Sequence, residues 1–340
     1  MMQLNPVIFS LGGFISCALL IVFSGVRLSK YGDIIADLSG LGKAWIGLIL
    51  MAAVTSLPEL FSGFSSILIL KKPDIAVGAV FGSCAFNLAI LALLDYFVPG
   101  KPISSVVTKS QILAGFLGMI LIILSVIEIH FGKLFPEKGW LGLFPAIIIF
   151  IYLISIRIIF ENDKQAQKAI DSFAGPTHKK EIKISLKKAI IKFSFYSALI
   201  VTAALALPYF AEKLAHETGI NESFIGTLLV AASTSLPELV VSIAAVRMGS
   251  MDLAVGNLLG SNIFNMFILA IDDLIYTDGP ILLATNPNHA LSALVTLLMT
   301  SVISISILFG SPKKRFALGI DAIIMILLYA GLLFSLNFLE

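Results

Sequence analysis

The run IGLILMAAVTSLPEL at residues 46–60 sets two hydroxyls, a proline and a carboxylate (Thr55, Ser56, Pro58 and Glu59) inside an apolar stretch. The run IGTLLVAASTSLPEL at residues 225–239 does so again. Glu238 follows Glu59 by 179 positions. A chance match of this length within one chain is improbable, so the two runs are read as an internal duplication with one carboxylate per copy. The flanks repeat as well: residues 74–78 (DIAVG) are echoed by 252–256 (DLAVG), and 82–87 (GSCAFN) by 260–265 (GSNIFN), at an offset of 178. One residue has therefore been gained or lost in the connecting turn.

Working outward, 58% of the 340 residues are hydrophobic and 13% are charged, and the mean hydropathy is +1.00. These values place the chain in the membrane class. Spanning a hydrocarbon core of ~30 Å takes about 20 helical residues, and the expected spans are 7–28, 40–70, 75–96, 109–130, 140–160, 187–210, 220–247, 253–275, 286–309 and 316–337. The expected fold is an all-α integral membrane protein of ten transmembrane helices. No basic residue precedes the first run, which reads as a retained helix and not a signal peptide. A net charge of +2, with Lys and Arg spread between apolar runs, excludes nucleic acid as a partner. Cys17 and Cys84 lie within apolar runs and imply no disulfide framework. No cofactor and no obligate protein partner are indicated, leaving ions and membrane lipid as the expected partners.

Lysines and arginines favour the connections after the odd-numbered spans, including Lys43, Lys101, Lys164, Lys179, Arg247 and Lys314; the other side carries Glu212, Glu217, Glu222, Asp272, Asp273 and Asp278 beside Lys71, Lys72, Lys133 and Lys138. The positive-inside rule puts both termini outside a cell membrane and the connection at 161–186 in the cytoplasm. Five spans per half make the halves, 1–160 and 187–340, inverted repeats joined by that linker. A pseudo-two-fold axis in the membrane plane then brings Glu59 and Glu238 together near the midplane.

A carboxylate at the centre of a membrane helix costs ~2.5 to 3.5 kcal/mol on insertion scales, and the core sections of spans two, three, seven and eight contain no Lys, Arg or His. A proton or a bound cation remains to offset the charge. Thr55 and Ser56 share the side of Glu59 on a helix, as Thr234 and Ser235 share that of Glu238. Pro58 and Pro237 cannot donate to the carbonyls of Val54 and Ser233. Ser83 and Asn87, and Ser261 and Asn265, add further oxygens. An all-oxygen set without His or Cys suits a hard cation, and many protein oxygens with two carboxylates favour Ca²⁺ over Mg²⁺. Aspartyl proteolysis would leave the hydroxyls, amides and prolines without a role, so the chain is not read as an enzyme; a cation channel is the stronger rival. Asp74 and Asp252 are read as N-caps of their own spans, Glu128 as an interfacial acid reaching toward water, and the four histidines as without chemistry.

At these residues the chain resembles the cation/calcium exchanger superfamily, and most of all the prokaryotic sodium/calcium exchangers. The signature is the pair of alpha repeats, 47–87 and 226–265, each with Thr-Ser-Leu-Pro-Glu followed by Gly-Ser-x-x-Phe-Asn. The resemblance implies cation ligands at Thr55, Ser56, Glu59, Ser83 and Asn87, at Thr234, Ser235, Glu238, Ser261 and Asn265, and at the carbonyls of Ala52 and Ala231. It further implies that spans one and six slide against the rest of the bundle to give alternating access, with Ca²⁺ exchanged for Na⁺. Asn265 stands where that family usually has an aspartate, which leaves H⁺ open as the coupling ion.

Overall fold

The computed structural model describes residues 6–134, 142–173, 184–218, 233–310, 313–314 and 317–339. Among them every regular element is helical. The helices are α1 (Pro6–Ser39), α2 (Lys43–Ile69), α3 (Pro73–Leu94), α4 (Ser110–Phe131), α5 (Leu143–Phe173), α6 (Leu186–Thr218), α7 (Leu236–Arg247), α8 (Met251–Ile275), α9 (His289–Phe309) and α10 (Ile320–Leu339). Eight of the described helices are long and apolar enough to cross a membrane; the apolar part of α10 is shorter, at Ile320–Leu336. The expected seventh span is described only from Ser233 onward.

Several expected boundaries shift. Helix α1 runs to Ser39, well past 28. Its polar end is held in the fold because Lys43 Nζ donates to Asp33 at 2.6 Å and Ser250 Oγ donates to the same carboxylate. Hydropathy registers the membrane-embedded part of such a helix and misses its polar continuation. Gly40, at φ +70°, then ends it in the left-handed conformation that glycine adopts without steric cost. Helix α5 continues to Phe173, so the expected linker begins as helix.

Helix α8 is the centre of the molecule: 83% of its span is buried, against 17% for α1 and 28% for α6. It packs on α2, α3, α4, α5 and α7, whereas α1 lies along α6 and touches the bundle through α7 and the start of α2. The α2–α8 crossing is a backbone contact. A Cβ on Gly47 would stand 2.5 Å from the Leu253 carbonyl, one on Gly256 2.8 Å from the Ala44 carbonyl, and one on Gly260 would overlap Leu48. Small residues let membrane helices approach this closely.

The acids at the helix ends also correct the sequence reading. Asp74 and Asp252 do not cap their own helices; they cross to a neighbouring loop. Asp252 Oδ1 accepts from the Thr108 amide (2.7 Å) and hydroxyl (2.8 Å), ahead of α4, and Asp74 Oδ1 accepts from the Asn286 amide (2.7 Å), ahead of α9. Glu128 is buried and lines a small cavity with Pro145, Ile148 and Asp273, so it does not reach toward water.

Candidate cation-binding site

Helix α2 is not uniform. A π-helical stretch at Ile46–Met51 leads into an α-helical turn at Ala52–Thr55. The chain breaks at Ser56 (φ −92°, ψ 5°), then resumes as α-helix over Leu57–Phe64 and as π-helix over Ser65–Ile69. Proline drives the break, because Pro58 has no N–H and its ring crowds the carbonyl four residues back. Ser235, before Pro237, has the same conformation, φ −93° and ψ 8°. Both breaks stand beside a glutamate in the first turn of the helix that follows. Among the described residues the π turns flank only the first break, and such turns are frequent at functional sites.

The two glutamates exchange partners across the breaks. Ser56 Oγ donates to Glu238 Oε1 at 3.2 Å, and Ser235 Oγ donates to Glu59 Oε1 at 3.4 Å. Ser83 Oγ also reaches Glu59 Oε1 at 3.5 Å and lies 3.5 Å from Ser235 Oγ, while Thr55 Oγ1 lies 3.4 Å from Ser261 Oγ. Ser56, Glu59, Ser83, Ser235, Glu238, Thr55 and Ser261 thus form one buried cluster. Thr234 is buried one residue before the second break. The Ala52 carbonyl, expected as a ligand, accepts from the Ser56 amide at 3.0 Å and the Thr55 hydroxyl at 3.3 Å. Ala231 lies outside the described residues.

The two amides behave differently from the hydroxyls. Asn87 Nδ2 donates to Asn262 Oδ1 at 3.0 Å, and Asn262 in turn donates to the Cys84 carbonyl at 3.1 Å. Asn265 lies against the Cys84 thiol with neither amide atom hydrogen-bonded. Asn257, on α8, accepts from Thr55 at 3.3 Å and donates to Ser242 at 3.1 Å. Asn257, Asn262 and Ser242 are structural partners outside the expected ligand set. Their signal was the mismatch between copies, since Asn257 and Asn262 face Ala79 and Cys84 at the matching positions.

Among the described residues no ion pair reaches either glutamate. Glu59 Oε2, Glu238 Oε2, Asn87 Oδ1 and Asn265 Oδ1 are buried acceptors without a donor. Buried polar atoms are normally paired, and a carboxylate without a partner in this setting is costly. Acceptor oxygens of two carboxylates and two amides, with hydroxyls alongside, fit a hard cation of the Ca²⁺ or Na⁺ kind and offer nothing to a soft one.

The solved structure of the sodium-calcium exchanger NCX_Mj, soaked with 10 mM Na⁺ and zero Ca²⁺, shares the fold at a TM-score of 0.75 and 21% identity, over 97% of this chain and 99% of that one. The inner membrane protein YrbG of Escherichia coli is 27% identical over 288 residues, 82% of this chain and 84% of its own length. The sodium/calcium exchanger MaX1 of Methanosarcina acetivorans is 52% identical over 69 residues, 20% of this chain and 19% of its own length. The sodium/calcium exchanger protein family matches residues 9–160 and 188–337, and with nearly the whole chain covered, this protein is a membrane-spanning member of that family.

Proposed function

We propose that the chain is a secondary antiporter that holds Ca²⁺ between Glu59 and Glu238 and exchanges it for Na⁺ by alternating access. The observation that carries this reading is the crossed pair Ser56→Glu238 and Ser235→Glu59, with one oxygen of each carboxylate left for a cation. Two carboxylates balance one divalent charge, and the hydroxyls and amide oxygens replace water around it. Ca²⁺ and the driving ion compete for one set of oxygens, and that competition keeps exchange coupled.

The same crossed pattern supports ten spans arranged as two inverted halves, 1–160 and 187–340. Asp252 with Thr108 and Asp74 with Asn286 are one contact made twice, with partners exchanged at the offset of 178. Asp95 with the Ile103 amide and Asp273 with the Ile281 amide repeat within each half at that offset. In this reading both termini lie outside, the connection at 161–186 is cytoplasmic, and the protein works in a cell membrane.

A second reading, Ca²⁺ exchanged for H⁺, is favoured by one observation: position 265 is an amide, so the site has two carboxylates and no third titratable group. The deciding experiment is ⁴⁵Ca²⁺ uptake into proteoliposomes loaded with Na⁺ and diluted into Na⁺-free buffer, beside vesicles carrying only a pH gradient. Uptake driven by Na⁺ is expected. Uptake driven by the pH gradient alone replaces Na⁺ with H⁺, and uptake without either gradient turns the protein into a channel. In the same assay Glu59→Gln or Glu238→Gln should lower uptake at least about 100-fold, as loss of a charged ligand worth ~3 kcal/mol would, without unfolding the protein. Wild-type rates in either variant would remove these residues from the site.

A further inference from the structure

Helix α8 carries a carboxylate that the site above does not use. Asp272 lies seven residues beyond Asn265, two helical turns or about 10 Å along the same face of α8. Opposite it on α2 is Gly63, one turn beyond Glu59, where any Cβ would overlap both carboxylate oxygens of Asp272. The side chain is fully buried, and neither oxygen has a hydrogen-bond donor.

Its neighbours show that this is not the ordinary condition of an acid here. Asp95 accepts from the Ile103 amide at 2.6 Å and the Gly319 amide at 2.6 Å, and it pairs with Lys314 at 3.1 Å. Asp273, the next residue, accepts from the Ile281 amide. At the position matching Asp272 in the first half stands Leu94, which is buried. The architecture packs an apolar side chain at that place, so the carboxylate is an addition to one half only. A buried acid without a partner is expensive in a membrane interior, and Asp272 shares this feature with the free oxygens of Glu59 and Glu238 along the same α2–α8 seam.

We propose that Asp272 is a second cation-binding carboxylate, an outer station that receives a hard cation between the outer face and the Glu59–Glu238 site. The inference rests on the antiport reading and on the orientation given there. A cation shedding its water before reaching the central cluster is met by the two donor-free oxygens of this carboxylate, with Gly63 leaving room for them. The asymmetry between Asp272 and Leu94 restricts this help to one side of the membrane.

The test compares right-side-out and everted membrane vesicles carrying the full chain, with Ca²⁺ as the titrated ion and the gradient that powers the wild type. Asp272→Asn and Asp272→Leu, the second restoring the side chain of the first half, should raise half-saturating Ca²⁺ about ten-fold at the outer face, as expected for losing one charged contact. At the inner face the change should stay below about two-fold. No shift at the outer face, or equal shifts at both faces, overturns the proposal, because a structural role would not distinguish the two sides. Glu59→Gln run in parallel separates the two claims. Undiminished exchange in that variant removes the central site itself, whereas lost exchange there with unshifted Asp272 variants removes the outer station alone.

Discussion

Asn265 is buried at the end of the Gly-Ser-x-x-Phe-Asn motif with both amide atoms unengaged, whereas Asn87, its counterpart, is held by Asn262. The two amides are equivalent in sequence and inequivalent in use. Asn265→Asp would place a third carboxylate against the central cluster, and a third negative charge requires a further monovalent cation in each cycle to balance it. The expected outcome is a reversal potential for Ca²⁺ exchange that depends more steeply on voltage in proteoliposomes clamped with K⁺ and valinomycin; an unchanged potential means that position 265 does not set the stoichiometry. Sequence spacing made the hydroxyls and both glutamates legible, since a duplicated cluster announces itself without any coordinates. It could not show that Ser56 serves Glu238 and Ser235 serves Glu59, because that exchange exists only once the two halves interlock.

At the scale of elements, α2 and α8 carry the site, and their close approach is a glycine property. Gly260 meets the Leu48 backbone so closely that a Cβ cannot be accommodated without moving the helix. Gly260→Val should therefore destabilise the protein by about 1–3 kcal/mol or more through overpacking, read as a fall in the thermal unfolding temperature in detergent together with weakened exchange. Gly12→Ala on α1, where nothing lies within 4 Å of a built Cβ, is the control, and it should be neutral or stabilise by up to ~1 kcal/mol through helix propensity. Equal effects of the two changes would show that the crossing tolerates bulk. Gly47, Gly256 and Gly260 stand at that crossing, whereas Gly82, the counterpart of Gly260 in the first repeat, has nothing within 4 Å of a built Cβ. Helix lengths were less legible. The continuation of α1 past its apolar run is tied by the polar contacts of Asp33, and a hydropathy window is blind to it as to the continuation of α5 to Phe173.

At the scale of the molecule, the contrast in burial between α8 and the α1–α6 pair bears on how the site opens. Lipid-facing residues such as Phe9, Ile15, Leu19 and Phe23 line α1, and its ties to the bundle include the Ser29 Oγ donation to the Val241 carbonyl at 2.7 Å, the Asp33 contacts with Lys43 and Ser250, and the packing of Gly25 on Val240. Among the described residues, sliding of α1 along the bundle breaks the Ser29 bond and the Asp33 contacts with Lys43 and Ser250 and otherwise shifts van der Waals contacts, so alternating access by movement of α1 and α6 needs no unfolding. Pinning the pair should stop the cycle. A Cβ on Gly25 would stand 2.8 Å from Val240 Cγ1, near enough for a disulfide between neighbouring helices, so Gly25→Cys with Val240→Cys, in a background where Cys17 and Cys84 are replaced by alanine, offers a reversible lock. Oxidation should reduce ⁴⁵Ca²⁺ exchange at least about ten-fold, and dithiothreitol should restore it, each rate being compared with the same protein in its other redox state so that any packing cost of the substitutions cancels. If the oxidised protein, with the cross-link verified by mass spectrometry, exchanges as fast as the reduced one, then α1 does not move against α7 during transport, and access to Glu59 and Glu238 must open within the bundle, at the proline breaks of α2 and α7 themselves.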